Sequence, residues 1–156
     1  MLEAKNVVKT FDGFRALDSL NMTVPKGAVY GLVGPNGAGK STIIRHLAGI
    51  YRQDSGEVLL DGQDVTRMPV RKRREAGMSH IPEDRLKVGT AKTCTIRDNL
   101  ITNRYYRKPH SKHGVMDNKA LMRLSDQMCR DYQIKTPDAT YLLSTLSGGN
   151  MQKVVF

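Results

Sequence analysis

An α/β fold built on a strand, a glycine-rich loop and a helix is expected for this chain, and three observations carry that expectation. A short apolar run at residues 28–33 is bounded by turn residues, the pattern of a buried strand. Gly34, Pro35, Asn36, Gly37, Ala38, Gly39, Lys40 and Ser41 follow it directly and fit G-x-x-x-x-G-K-[ST] at every position. Ile43, Ile44, Leu47 and Ala48 then recur at helical spacing and predict one apolar face on a helix of about 11 residues.

The remaining elements follow in chain order. Residues 2–9 read as a strand, and the alternation of Leu20, Met22 and Val24 predicts a second over 19–25. Pro25, Lys26 and Gly27 make a turn. The dipeptides Ser55-Gly56 and Asp61-Gly62 bracket a strand at 57–60. A basic helix is expected at 69–76, with a return to the sheet at 78–81. After Pro82 the chain becomes more polar and more helical. Thr95 and Asp98 form a capping box for a helix running to Ile101, and residues 108–114 read as a loop. Asp117 can cap a further helix whose stripe is Ala120, Leu121, Leu124 and Met128, and Pro137 and Asp138 mark another break.

Length and composition bound the function. The 156 residues suit one domain, and a hydrophobic share of 39% allows a modest core. No stretch reaches the roughly 18 apolar residues of a membrane-spanning helix. Cys94 and Cys129 lack a C-x-x-C partner, so a disulfide or thiolate site is not expected. His110 and His113 have no neighbouring carboxylate or thiol to complete a metal site. The net charge of +10 raises the prior for anionic ligands. Its densest run, Arg71, Lys72, Arg73 and Arg74, reads as the solvated face of a short helix. Few aromatics accompany that run, so it lacks stacking platforms, and nucleic acid is not the expected partner.

The glycine loop explains its own residue types. Glycines let the backbone wrap so that successive N–H groups point inward at phosphate oxygens. The following helix N-terminus, at Lys40, Ser41 and Thr42, adds partial positive charge. Lys40 would reach the β- and γ-phosphates, and the Ser41 hydroxyl would ligate Mg²⁺. Leu146, Ser147, Gly148, Gly149 and Asn150 lie about a hundred residues further on. A Ser-Gly-Gly at a helix start is a second anion-binding device, although alone it is equally a structural cap.

With both motifs in this order and at this spacing, the chain resembles an ABC transporter nucleotide-binding domain, and the resemblance covers essentially all of it. The fold it implies is a P-loop NTPase cassette. That cassette has a mixed sheet with N-terminal antiparallel strands and a helical subdomain, and it is incomplete here at the C-terminus. Residues 1–85 would form the P-loop core and β-subdomain, 86–147 the helical subdomain, and 146–156 the signature with the start of its helix. By the same resemblance Phe11 would stack on adenine. Glu83 stands where the family carries a glutamine that senses Mg²⁺ and the attacking water. Asn150 replaces the final glutamine of the signature. Residues 66–156 are most similar to the second ATPase half of simple-sugar and nucleoside importers, whereas 1–65 look like a single-cassette ATPase with an intact Walker A loop.

The resemblance implies ATP and Mg²⁺ as ligands, a second cassette as head-to-tail partner, transmembrane permease subunits, and a peripheral place on the cytoplasmic face of the cell membrane. In that arrangement Ser147, Gly148 and Gly149 would contact the γ-phosphate held by the partner cassette. The family's Walker B aspartate, catalytic glutamate and switch histidine follow the signature, and none is found here before Phe156. Asp61 ends an apolar run but precedes Gly62 on the wrong side of the signature, and His46 and His80 lie too far upstream for the switch role. The chain is therefore expected to bind nucleotide without efficient turnover. Residues 28–33 are expected to lack a neighbouring strand and to expose an apolar edge. Two other readings stand beside the transporter subunit. One is a non-hydrolysing or regulatory cassette; the other is a soluble ABC ATPase acting on nucleic acid or ribosomes, motivated by the charge.

Overall fold

The computed structural model describes residues 1–155, which fall into two compact units, Met1–His80 and the residues from Ile81 onward. In the first unit, β1 (Leu2–Phe11) and β2 (Phe14–Val24) form a long antiparallel hairpin. Its turn is Asp12-Gly13, with φ of 46° and 83°, the left-handed pair that the twist of a two-residue hairpin requires. β3 (Ser55–Leu60) pairs with the other edge of β1, and β4 (Gln63–Asp64) closes the sheet order β2-β1-β3-β4. The 58–61 run is thus a hairpin strand, as its Asp61-Gly62 turn implies. β2 begins five residues before the alternation predicts it, and the overlooked signal is the Asp-Gly dipeptide itself.

The β1 ladder slips between Ala4 and Val7, where Asn6 adopts a φ of 49°. The Asn21 side chain holds that bulge by accepting from the Asn6 amide and donating to the Asn6 side-chain oxygen. Gly56 faces the same bulge. A Cβ there would lie 2.4 Å from the Asn6 carbonyl oxygen, so only glycine lets β3 approach. Ala4, Val7, Leu17, Met22, Ile43, Val58 and Val65 form the core between the sheet and the helix α1 (Lys40–Leu47).

Three expectations need correcting in this unit. Residues 28–33 form no strand: Val29 and Val33 are fully exposed, and of this run only Leu32 packs on the core. Every ladder among the described residues is antiparallel, so this stretch has no parallel neighbour to supply backbone partners. Residues 78–81 likewise do not return to the sheet. α1 is eight residues long and buries Ile43 and His46, while Ile44 is exposed. The rest of the expected stripe faces inward, with Ala48 buried and Leu47 packed on the core, and His46 takes the inward place instead of Ile44. The His46 Nδ1 lies 2.8 Å from the Thr42 carbonyl oxygen, and its ring meets Tyr51 edge-on.

The basic helix α2 (Val70–Glu75) forms as expected, but it is not a uniformly solvated face. Arg73 is 2% exposed, and its guanidinium donates to the carbonyls of His46, Leu47, Thr66 and Met68. The carbonyls of His46 and Leu47 close the C-terminus of α1, where the helix leaves acceptors without intrahelical donors and where positive charge is favoured. Burial pushes the Arg73 proton affinity down, with Asp64 opposing that shift. Arg71, Lys72 and Arg74 are exposed as expected, the first two sharing Glu75.

In the second unit α3 (Ile96–Ile101) and α4 (Asn118–Asp131) begin under the caps read from the sequence. Thr95 Oγ1 accepts from the Asp98 amide while Asp98 accepts from the Thr95 amide, completing the capping box. Asp117 accepts from the Ala120 amide. The loop between these helices contains a small hairpin, β5 (Ser111–Lys112) and β6 (Val115–Met116). Ile96, Leu100, Ile134, Leu143, Leu146 and Val154 form the core of this unit, against which Met128 packs. α4 buries Leu121 and Ser125 rather than the whole expected stripe. The last helix, α5 (Gly148–Val155), begins within the signature.

Candidate functional site

The glycine loop of residues 34–39 is an open turn whose residues, apart from Gly39, are exposed. It tightens where the Ala38 amide donates to the Pro35 carbonyl at 3.2 Å. Gly39 caps α1 with φ 81° and ψ 1°, and a Cβ there would sit 3.1 Å from the Ala16 carbonyl oxygen. Glycine is therefore required on both backbone and spatial grounds. A Cβ on Gly34 would press on Ala38 Cβ at 3.2 Å, so the loop has no room to fill its own hollow.

Lys40 bends back over the loop. Its ammonium donates to the carbonyls of Gly34 at 2.6 Å and Pro35 at 2.8 Å. An ammonium has three protons, so one donor remains for an anion. The first bond within α1 runs from the Ile43 amide to the Gly39 carbonyl, so the amides of Lys40, Ser41 and Thr42 have no intrahelical acceptor. No side chain caps this end, and the first turn holds no acidic residue. Donor-only chemistry at a bare helix N-terminus fits a phosphate chain. Ser41 is exposed at the same end, its hydroxyl suited to a hard cation beside such phosphates.

Phe11 ends β1 and is 37% exposed. Its ring meets Tyr51 edge-on at 5.4 Å, and the Lys9 ammonium lies over it at 5.2 Å. Lys9 in turn donates to Asp54, which also accepts from the Thr10 amide. Those two hydrogen bonds, Lys9 first, hold the Asp54 carboxyl below the usual carboxylate range. Tyr51 receives a hydrogen bond from Arg45 on α1. An aromatic platform is thus tied to the helix that follows the loop. Sequence reasoning pointed to Phe11 and named neither Tyr51 nor the neighbouring Phe14, which is 70% exposed.

In the second unit, the signature is organised around Asn150. Its Oδ1 accepts from the Lys135 amide at 3.2 Å, and its Nδ2 donates to Ser147 Oγ at 3.1 Å. The backbone donor at Lys135 fixes which end of the amide faces Ser147. Ser147 Oγ therefore receives a hydrogen bond and keeps its own proton to donate. Gly148 and Gly149 open α5, and because the Met151 amide donates to the Ser147 carbonyl, their own amides have no intrahelical acceptor. Glu83 is exposed at the start of this unit, just before a turn in which Asp84 accepts from the Lys87 amide. Near the end of the first unit, His80 is held below its ordinary range by burial and then by Arg74 and Arg45. Among the described residues no cluster of His, Cys, Asp and Glu is built to hold a metal ion, and no helix is long and apolar enough to cross a membrane.

These features match known proteins. The ABC transporter family model covers residues 17–156. The guanosine import ATP-binding protein NupO of Bacillus subtilis is 33% identical over 148 residues, spanning 95% of this chain and 29% of the relative. The ribose import ATP-binding protein RbsA of Pseudomonas putida is 35% identical over 154 residues, spanning 99% of this chain and 29% of the relative. The chain thus spans about three-tenths of the length of these curated relatives. Among solved structures, a nucleotide-free ATP-binding cassette from an ABC transporter superposes with a TM-score of 0.75 at 26% identity, covering 99% of this chain and 62% of that one. With the family model spanning nearly the whole sequence and a solved cassette sharing its fold, the chain belongs to the ABC transporter family as a P-loop ATP-binding cassette.

Proposed function

We propose that this chain is the nucleotide-binding part of an ATP-driven importer of sugars or nucleosides. The observation that carries the reading is the bare N-terminus of α1 beneath a folded-back Lys40. In this reading Gly34, Pro35, Asn36, Gly37, Ala38 and Gly39 wrap the phosphates, Lys40 neutralises the terminal ones, and Thr42 adds a helix amide. Ser41 holds Mg²⁺. Mg²⁺ would supply charge neutralisation and polarisation of the phosphoryl oxygens. Phe11 stacks on the base. Ser147, Gly148, Gly149 and Asn150 serve the phosphate held by a second cassette facing head to tail. That dimer acts on transmembrane permease subunits at the cytoplasmic face of the membrane. The names of the relatives, which import guanosine and ribose, support the substrate class.

Residues 1–156 carry no Asp-Glu pair after an apolar strand, so this chain alone binds Mg-ATP without robust turnover. Titration of a fluorescent ATP analogue tests the first claim. Lys40→Ala is expected to weaken binding about a hundredfold, the loss of charge-assisted bonds worth roughly 3 kcal/mol. Unchanged affinity would overturn the site. Brisk Mg²⁺-dependent hydrolysis by the purified chain, abolished by Lys40→Ala, would overturn the second claim. Co-purification of the longer assembly with a multispan membrane protein tests the importer reading, and capture on ribosomes instead would reject it.

A further inference from the structure

Residues 99–116 stand apart in charge from the rest of the second unit. This stretch holds four cations, Arg104, Arg107, Lys108 and Lys112, with no Asp or Glu. All four are exposed, and among the described residues none is in an ion pair. The segment is not loose. Arg104 and Tyr105 bond back to the Ile101 carbonyl at the end of α3, and the Asp117 amide bonds to the His110 carbonyl at the start of α4. Between those anchors the β5–β6 hairpin carries two apolar residues at its far strand, Val115 at 73% exposure and Met116 at 48%. Tyr105 is also exposed, at 43%.

We infer that this face docks directly on an anionic phospholipid bilayer. The cations would meet the headgroups, and Val115 and Met116 would enter the boundary of the acyl region. Charge complementarity gives the sign of the partner, because an uncompensated cationic surface is attracted to a negatively charged leaflet. The apolar tip distinguishes a bilayer from a polyanion. Nucleic acid offers a charged backbone but no hydrocarbon to receive two exposed aliphatic side chains, whereas interfacial elements pair a basic rim with apolar residues. Tyrosine suits the same boundary, with an apolar ring and a polar tip. Stacking on bases is poorly served, since Tyr105 meets Tyr106 edge-on and Arg107 lies over the Tyr106 ring. The inference is independent of the nucleotide site and holds whether or not the chain binds ATP.

The full chain would be sedimented with vesicles of phosphatidylcholine alone and of phosphatidylcholine mixed with phosphatidylglycerol. Binding is expected for the mixed vesicles only, and to weaken with salt. Arg107→Glu combined with Lys108→Glu should weaken it about tenfold or more. Arg52→Glu combined with Lys72→Glu makes the same charge change in the first unit and should matter much less. Equal losses would overturn the proposal by reducing it to general attraction of a +10 protein. The chain has no tryptophan, so Met116→Trp provides a single reporter that leaves the cations intact. Its emission should shift to shorter wavelength and be quenched by brominated acyl chains. An unshifted emission in the bound state would reject insertion of the hairpin. Preference for an oligoribonucleotide over mixed vesicles at matched salt, lost in the Arg107/Lys108 variant, would reassign the surface to RNA and overturn the proposal.

Discussion

α1 begins at Gly39 with no side-chain cap and no acid in its first turn, whereas α3 and α4 begin under the side chains of Thr95 and Asp117. These are two solutions to the same problem. Every helix starts with amides that lack intrahelical acceptors, and a structural helix satisfies some of them from its own sequence. The helix after the glycine loop leaves them open, and its own cation, Lys40, turns to the Gly34 and Pro35 carbonyls of the loop. What α1 lacks at its front it recovers at its back, where Arg73 closes the last turn from 26 to 27 residues away. The contrast teaches where each unit keeps its order. The first unit secures α1 from its C-terminal end, and the second secures α3 and α4 from their N-terminal ends.

The comparison can be broken most directly at Arg73. Arg73→Met keeps the apolar stem but removes the guanidinium from four carbonyls, of which His46 retains the Gly49 amide, and should destabilise the first unit by about 3 kcal/mol in chemical denaturation. A cost below roughly 1 kcal/mol would show that α1 does not depend on its rear closure. Thr95→Ala should cost about 1 kcal/mol, the usual worth of an N-cap, and leave nucleotide affinity unchanged. A loss of affinity would contradict the division of labour between the two kinds of helix start.

Asp98 sharpens the same point through pH. The hydrogen bond with Thr95, followed by Arg97, holds its carboxyl below the ordinary range. A group whose folded value is lowered binds its proton more readily when unfolded. Its contribution is therefore full above about pH 4 and is lost as pH falls through the lower folded value. The stability gap between the native chain and Asp98→Asn should be constant near neutrality and close in acid. The smallest expected effect concerns the thiols. Cys94 is exposed, whereas burial, with Asp126, pushes the Cys129 thiol up. Alkylation in the native state should modify Cys94 first, and equal rates would indicate that α4 opens freely.

Local rules made much of this legible in the sequence. The Thr95 capping box, the Asp117 cap, the Asp61-Gly62 turn and the glycine loop each depend on residues a few positions apart, and each forms where its residues stand. The failures depend on distant partners. The apolar run at 28–33 reads as a strand, but a parallel strand exists only beside a neighbour, and the described residues provide none. Arg73 reads as one of four surface cations because nothing local says that carbonyls from α1 will surround it. His46 interrupts an apolar stripe, yet it is buried alongside Ile43 and Ala48. Within the site, the loop residues were legible one by one. The pairing of Phe11 with Tyr51 and that of Asn150 with Lys135 were not, since both join segments whose proximity the fold decides.

If the proposed role of Ser147 holds, the Asn150 contact has a consequence for the timing of ligand contact. A serine hydroxyl is a rotor whose proton can point to several acceptors, and stopping it costs entropy when a ligand arrives. By occupying one lone pair of Ser147 beforehand, Asn150 narrows that rotor while the surface is still in water. The orientation is inherited from a backbone amide at Lys135 and not chosen by the incoming anion. A side chain one methylene shorter than glutamine is thereby a device for setting the direction of a single proton in advance.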